Sequence, residues 1–267
     1  MFFVSLRSSS GGNCSLLSTG TENILIDCGV SSKVIQSALK EQSLTLSDIN
    51  AVLVTHEHSD HIKGLKRLMG AYNIPVYTSM GTWNGICAQD RDGYFSFQGF
   101  ELFRQIQADK EFYIGNTLVT PFRTYHDTAG SLGFRFDMEE AVFGHDASLG
   151  VITDCGHFDD YICSHLKGLD AVLIEANHDE SMLMRGSYPM ALKRRILSDM
   201  GHASNASCAA LIRSIYSEKL KNVLLAHLSD ENNDPELALS FVRNAVSIPA
   251  LTIRVAPKSE CSDVIVL

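Results

Sequence analysis

The sequence predicts an α/β fold, a four-layer αββα sandwich, on three observations. Short apolar runs of strand length alternate with segments of helical spacing. The two halves share a plan of strands followed by mixed strand and helix. No linker rich in Pro, Gly or Ser and no low-complexity stretch divides the chain, so residues 1–267 read as a single domain, two sheets face to face with helices outside.

Residues 2–6, 14–18 and 23–27 are apolar runs between Ser/Gly/Asn turns and read as antiparallel strands, with 8–13 a loop by composition. Val34, Ile35, Ala38 and Leu39 keep helical spacing, and Ser31 or Ser32 can cap that helix. A strand at 51–54, a helix at 61–71, a short strand at 75–78 and a helix at 80–88 follow. The pattern weakens over 89–111. There Phe95, Phe97, Phe100 and Phe103 alternate loosely with polar residues, which suggests a strand or ordered loop whose aromatics serve the core rather than stack on bases. Strands are expected at 117–123, 131–137, 140–144 and 149–153. Helix and strand then alternate: helix 158–165, strand 170–175, helices 189–199 and 204–215, strand 221–226, helix 235–247, and closing strands 251–255 and 263–266.

An apolar fraction of 45% is ample for a core. The net charge of −9 argues mildly against a nucleic-acid substrate, although two divalent ions would add four positive charges and leave about −5. Seven scattered cysteines without a CxxC pair, and no signal-peptide pattern, suggest reduced thiols in a cytoplasmic protein. Cys28 and Cys155 read as small packing residues. No run of 18 apolar residues is present, so no membrane span is expected.

Several apolar runs end in a residue able to bind metal: Asp27, His56, His126, Asp154, Glu175 and His227. Strand ends are where a sheet holds loop residues rigidly over a crevice. The densest ending is THEHSDH at 55–61. His56 and His58, two apart, lie on one side of extended backbone and can grip one ion, with His126 as a third ligand. Asp60 and His61 fall where the chain turns into a helix and can grip a second ion with His227, while Asp154 is suited to bridge both. Imidazole and carboxylate suit zinc, manganese or iron. Two such ions about 3.5–4 Å apart with a hydroxide between them make a hydrolytic centre. Asp27 is expected to accept a hydrogen bond from a ligand and fix its orientation.

HxHxDH at 56–61, preceded by Asp27 and followed by His126, Asp154 and His227, resembles the metallo-β-lactamase-fold hydrolase superfamily over nearly the whole chain. SSSGGNC (8–14), MGTWNGI (80–86), HDTAGSLGF (126–134), LIEANHD (173–179), RRILSDMGHASN (194–205) and AHLSDENN (226–233) are similar to the WalJ-type family, also called YycJ. That resemblance implies the two-metal site and exonuclease action on DNA, 5′ to 3′. Glu175 and His202 resemble a pair that ribonuclease Z-type enzymes use near the leaving group, so both, with Asp60, are catalytic candidates; His202 would protonate the leaving oxygen. Here Ile174 stands where those enzymes place a histidine before the glutamate, and the long insertion of β-CASP nucleases is lacking.

Other functions compete with this one. A metal-dependent hydrolase of a small ester, thioester or lactam suits the acidic composition. Redox chemistry at a di-iron centre is disfavoured because members of that kind carry Glu where His58 stands. A binding module would not need an intact ligand set. His145, His157, His165 and His178 read as structural. Gly11-Gly12-Asn13 reads as a turn more readily than a phosphate cradle, and Lys63, Lys66-Arg67 and Lys193-Arg194-Arg195 read as solvated faces, the last able to hold phosphates if it lies near the metals.

Overall fold

The structure, a computed structural model, describes residues 1–138 and 146–267. The strand expected at 140–144 and His145 lie outside the described residues. Two compact units form. The first comprises Met1–Pro121, Thr128–Leu132 and Pro257–Val266; the second comprises Phe122–Asp127 and Gly133–Ala256.

In the first unit the chain runs β1 (Phe2–Arg7), β2 (Cys14–Ser18), β3 (Asn23–Ile26), α1 (Ser32–Glu41), β4 (Ala51–Leu53), α2 (Ser59–Ile62), α3 (Leu65–Tyr72), β5 (Val76–Thr78), α4 (Met80–Gln89), β6 (Phe103–Gln105) and β7 (Phe112–Ile114). The last pairs antiparallel with the start of β8 (Thr117–Arg123), and β14 (Ile265–Val266) returns to the edge beside β1. The sheet order is β14-β1-β2-β3-β4-β5-β6. The first three sequence strands pair antiparallel, and β3 to β6 pair parallel. One register row, Val4–Leu16–Leu25–Val52–Val76–Phe103, crosses six strands and is buried throughout. Against it pack Ile35, Ala38 and Leu39 of α1, Leu65, Leu68 and Met69 of α3, and Trp83 of α4, whose ring stacks on Phe103 at 4.4 Å. Ser31 is the cap of α1, its hydroxyl accepting from the Val34 N–H.

The helix expected at 61–71 is broken in two. The Gly64 N–H turns away to the Cys28 carbonyl at 2.7 Å, and a side chain at Gly64 would meet the Val30 carbonyl 2.6 Å away. The segment 89–111 is a loop with a 3₁₀ turn at Gly99–Leu102 and the short β6, within the expectation of a strand or ordered loop. Phe95 and Phe103 are buried as expected, but Phe97 and Phe100 are 78% and 55% exposed. They sit on turns, not on a pleated strand, so their spacing does not select a face.

In the second unit the end of β8 leads to β9 (Leu132–Met138), β10 (Ala147–Ile152), α5 (Asp160–Leu166), β11 (Ala171–Glu175), α6 (Glu180–Arg185), α7 (Met190–Ile196), α8 (Asn205–Ile215), β12 (Asn222–Ala226), α9 (Pro235–Val246) and β13 (Thr252–Val255). The sheet order is β13-β12-β11-β10-β9-β8-β7. β9 is antiparallel to β10, and β10 to β13 are parallel. The row Val172–Val223–Ile253 meets Ile162 and Leu166 of α5, Cys208 and Ile212 of α8, and Ala238 and Val242 of α9 in one buried cluster. Mixed sheets flanked by helices make this an α/β fold, as the sequence predicts. Two short elements, β7 and α6, were not expected, being too short for a period to declare itself. All seven cysteines are free thiols, and among the described residues no helix is long and apolar enough to cross a membrane.

Candidate metal and acid–base site

In the first unit the site residues follow the ends of two paired strands. The parallel register of β3 and β4 sets Ile26 level with Leu53, so Asp27 and the 55–61 stretch leave the sheet at the same end. His58 is extended and directly precedes α2, and Asp60 and His61 lie within that helix, as the spacing predicts. Asp27 has φ 58° and turns its carboxylate under the histidines. It accepts from the Thr55 N–H at 2.8 Å, the Thr55 hydroxyl at 2.9 Å and His61 Nδ1 at 2.7 Å. A carboxylate can only accept, so Nδ1 of His61 carries the proton and Nε2 the lone pair.

His56 is fully buried, with Nδ1 at 3.0 Å from the Thr55 hydroxyl and Nε2 at 3.0 Å from His58 Nδ1. The loop that carries Asp60 is held from behind. The Asn13 N–H donates to the Asp60 carbonyl at 2.8 Å, and Gly29 donates to the Asn13 carbonyl at 2.7 Å. A Cβ on Gly29 would lie 1.5 Å from the Asp60 carbonyl oxygen, which leaves room for glycine alone. Gly11-Gly12-Asn13 is therefore a turn, as expected, but one that tethers the histidine loop.

In the second unit the parallel registers Ile152↔Ile174 and Glu175↔Ala226 bring three strand ends together. Asp154 and His227 follow their strands with φ 53° and 54°, and Glu175 is the last residue of β11. The ligand-capable atoms of Asp154, Glu175, His202 and His227 all lie within 4.8 Å of one another. Glu175 is fully buried. Its Oε1 accepts from His202 Nδ1 and His227 Nδ1, both at 2.8 Å; its Oε2 accepts from the Ala203 N–H at 2.9 Å and the Cys155 N–H at 3.2 Å. Burial pushes this carboxyl up, but the His202 charge and the two imidazole hydrogen bonds outweigh it and bring the pKa down to about 2. His202 moves the other way. Burial alone would lower it, and the Glu175 charge and hydrogen bond with the Asp154 charge raise it above the ordinary value. His126 Nδ1 donates to the Gly201 carbonyl at 3.2 Å, and its Nε2 lies 3.8 Å from Asp154 Oδ1.

These residues fit divalent cations. In His61, His126 and His227 an oxygen acceptor fixes the proton on Nδ1 and leaves the lone pair on Nε2, the atom a metal takes. The His56 and His58 nitrogens face each other at 3.0 Å, a separation that needs a proton or a cation in common. Imidazole with buried carboxylate is the donor chemistry of zinc or manganese.

Sequence reasoning did not find the supporting residues. Thr55 and Asn13 are two. Asn177, Asn205 and Asn233 form a buried amide group in which the Asn177 side chain donates to the His227 carbonyl at 2.9 Å, the Asn233 side chain donates to the Ala176 carbonyl at 2.8 Å, and Asn205 and Asn233 pair at 2.9 Å. Their only signal was their place in the stretches LIEANHD, RRILSDMGHASN and AHLSDENN. His165 stacks on Phe122 at 5.0 Å and His157 meets the Tyr125 ring edge-on. His178 is buried, and burial holds its pKa below the ordinary value.

The family model described as the beta-lactamase superfamily domain matches residues 22–227. Exodeoxyribonuclease YycJ of Bacillus anthracis is 36% identical over 244 residues, covering 89% of this chain and 86% of that protein. Exodeoxyribonuclease WalJ of Streptococcus pneumoniae serotype 2 is 37% identical over 234 residues, covering 87% and 83%. The metallo-beta-lactamase fold protein YhfI from Bacillus subtilis, a crystal structure, superimposes with a TM-score of 0.69 at 16% identity over 98% of both chains. That likeness shows the fold, the α/β sandwich expected from the sequence.

Proposed function

This chain belongs to the beta-lactamase superfamily, and within it we propose that the protein is a metal-dependent phosphodiesterase that removes nucleotides from DNA, 5′ to 3′. Two of its relatives carry the name exodeoxyribonuclease. The observation that carries the proposal is the Glu175–His202 pair. A buried carboxylate holds a partly exposed imidazole through Nδ1, beside Asp154 and His227, and favours its protonated form. Such a cation is poised to protonate a departing alkoxide, the leaving group of a phosphodiester; a thioester, whose thiolate leaves unprotonated, has no need of it.

The reading assigns His56, His58, Asp60, His61, His126, Asp154 and His227 to two divalent ions, zinc or manganese, with iron as the further choice. Such ions, when bound, supply a nucleophilic water at neutral pH and charge that stabilises the transition state. The chain's own residues do the rest. Asp27 and Thr55 hold His61 in one tautomer. Glu175 does the same for His227, and Asn177 fixes the turn that carries it. His202, protonated, keeps Nδ1–H on Glu175 and gives its Nε2 proton to the leaving oxygen. The reading also takes the chain as one hydrolase domain, acting in the cytoplasm.

The test is digestion of 5′-phosphorylated single- and double-stranded DNA and RNA by manganese- or zinc-loaded protein, with Asp154→Ala as control. Metal-dependent release of nucleotides from the 5′ end of DNA, absent in the control, is the expected result. Fully loaded protein that leaves every polymer intact would overturn the reading and move the small-ester hydrolase ahead.

A further inference from the structure

Two glycines stand in α4, Gly81 in its first turn and Gly85 at its middle. Glycine weakens a helix, so a pair four residues apart, on one face, needs a reason. The first unit supplies one at each position. A Cβ on Gly81 would collide with the Ala129 carbonyl. A Cβ on Gly85 would lie 2.6 Å from Glu57 Cγ, 2.8 Å from Cδ and 2.9 Å from Oε1, and these are its three nearest atoms. Elsewhere on the helix Trp83 and Ile86 are buried in the core of the unit, and the Trp83 ring stacks on Phe103. α4 is therefore a fixed bed, and two loops lie on its glycine face.

One of those loops carries Glu57, the residue between His56 and His58. Among the described residues Glu57 belongs to none of the clusters in which histidine and carboxylate ligand atoms converge. It is held instead by what surrounds it. Its Oε1 accepts the Ala129 N–H at 3.2 Å, its carbonyl accepts the Gln89 side-chain amide at 3.0 Å, and its Oε2 is buried without a donor among the described residues. Gly81, Gly85 and Gln89 stand at i, i+4 and i+8, so one face of α4 takes both the side chain and the backbone of Glu57. The second loop is held as firmly. The Gly130 carbonyl accepts the Ser79 hydroxyl at 2.8 Å and the Thr82 hydroxyl at 3.2 Å, and the Leu132 N–H donates to the Thr55 carbonyl at 3.0 Å.

We infer that Glu57 is a positioning residue: seated on Gly85 and bonded to the Ala129 N–H, it sets the backbone from which His56 and His58 present their nitrogens to one ion. The inference rests on the two-metal reading. Both imidazoles hang from the residues on either side of Glu57, so a shift of its backbone turns both at once. The pair has little slack, since His56 Nε2 and His58 Nδ1 stand 3.0 Å apart. The acceptor Oε1 does this, not the charge: an amide oxygen accepts the same N–H, and Oε2 makes no bond that a glutamine would lose. Gly85 is the other half of the device. Any side chain there pushes Glu57 off the helix and away from Ala129.

The test is calorimetric titration of the metal-stripped full chain with zinc, run well below the melting range of every variant, with thermal melting beside it. Glu57→Ala is expected to weaken zinc binding about 10–100-fold, the range for loss of a residue that orients metal ligands, and Glu57→Gln to restore it. Gly85→Ala should weaken zinc as Glu57→Ala does, because its methyl displaces the Glu57 side chain. In the Glu57→Ala chain the same methyl meets none of those atoms. There Gly85→Ala should leave zinc affinity unchanged and, as alanine is the better helix former, raise Tm by roughly 2–4 °C. Wild-type zinc affinity in Glu57→Ala would overturn the inference and leave the two-metal reading standing. Glu57→Gln as weak as Glu57→Ala would overturn it by showing that the charge is what the site uses. A loss of zinc affinity on Gly85→Ala that persists in the Glu57→Ala chain would overturn it too, since the methyl would then act through something other than Glu57. Wild-type protein that takes up no zinc would sink the two-metal reading and the inference with it.

Discussion

Replacing Glu175 by Gln tests how much of the site depends on one buried charge. Its Oε2 serves two backbone N–H groups, of Cys155 and Ala203, which cannot reverse polarity. The glutamine oxygen must stay there, so its NH₂ takes the place of Oε1 and faces two Nδ1–H groups, from His202 and His227. Each ring must either lose the bond or move its proton to Nε2. The second choice removes the lone pair that His227 would offer a metal and the protonated form that His202 needs. Two hydrogen bonds to a charged acceptor contribute about 1.5–3 kcal/mol each. With partial recovery through the altered tautomers, the net loss is about 3 kcal/mol, or a fall in Tm of roughly 6–12 °C for a chain of this size. Nuclease kcat should fall by at least about 10²-fold. Metal content by mass spectrometry after gel filtration, thermal melting by circular dichroism and single-strand digestion read all three. The pH dependence has a definite sign. The Glu175 pKa lies near 2 in the fold against an ordinary 4.5, so its stabilisation is present above 4.5 and is lost as pH falls toward 2; Glu175→Gln should flatten that acid limb. A variant with wild-type metal content and kcat and a Tm within 2 °C of wild type (roughly 1 kcal/mol or less) would refute the reasoning.

Asp27→Asn should act on the histidine loop: at least one of the bonds from His61 and Thr55 is lost and metal affinity falls about 10–100-fold by calorimetric titration, while circular dichroism shows the rest of the first unit folded. Gly29→Ala drives a methyl into the Asp60 carbonyl; a stability loss of about 1–3 kcal/mol in urea melts, together with lost metal loading, is expected, and an unchanged midpoint would contradict the close approach. Asp159→Ala removes the cap that α5 receives at the Ile162 N–H and the acceptor for the Tyr125 hydroxyl at 2.7 Å. It should cost about 1 kcal/mol with activity retained. Burial raises the Asp159 carboxyl, but the Ile162 N–H and Tyr125 hydroxyl win and hold it below 3.8, so this contribution is present above 3.8 and disappears as pH falls through the lowered value.

What the sequence disclosed follows from what each signal depends on. The strand ends were legible because runs such as Ala171–Glu175 are apolar up to the residue that carries the chemistry, and parallel pairing then aligns neighbouring ends without further instruction. The HxHxDH stretch was legible because its spacing alone separates an extended pair from a helical pair. The braces were not. Asn177, Asn205 and Asn233 drew no reading, since an asparagine declares neither burial nor partner, and their value lies in the Asn177 and Asn233 side chains donating to carbonyls beside the site while Asn205 braces Asn233. Lys193 was misread for the opposite reason: a lysine among arginines reads as surface charge, and only the fold shows its ammonium turned onto two carbonyls. Phe97 and Phe100 were misplaced in the core, because alternation carries information only on a pleated strand.

The backbone at Asp27, Asp154 and His227 ties these levels together. All three have positive φ, a conformation that costs a residue with a side chain on the order of 1 kcal/mol or more. Glycine would relieve the strain at each position, yet none is glycine. The strain is offset locally: the Asp27 N–H reaches the Leu53 carbonyl at 2.8 Å, and the Asn177 side chain takes the His227 carbonyl. A left-handed residue ends a strand abruptly and swings its side chain back across the sheet end, whereas a residue continuing the strand would alternate to one face or the other. Three adjacent parallel strands can thus aim Asp154, Glu175 and His227 at one point although their registers are a residue apart. The positive φ at Asp154 and His227, two candidate ligands on the strand ends that flank β11, which composition and periodicity do not reveal, is a physical reason to place the function there.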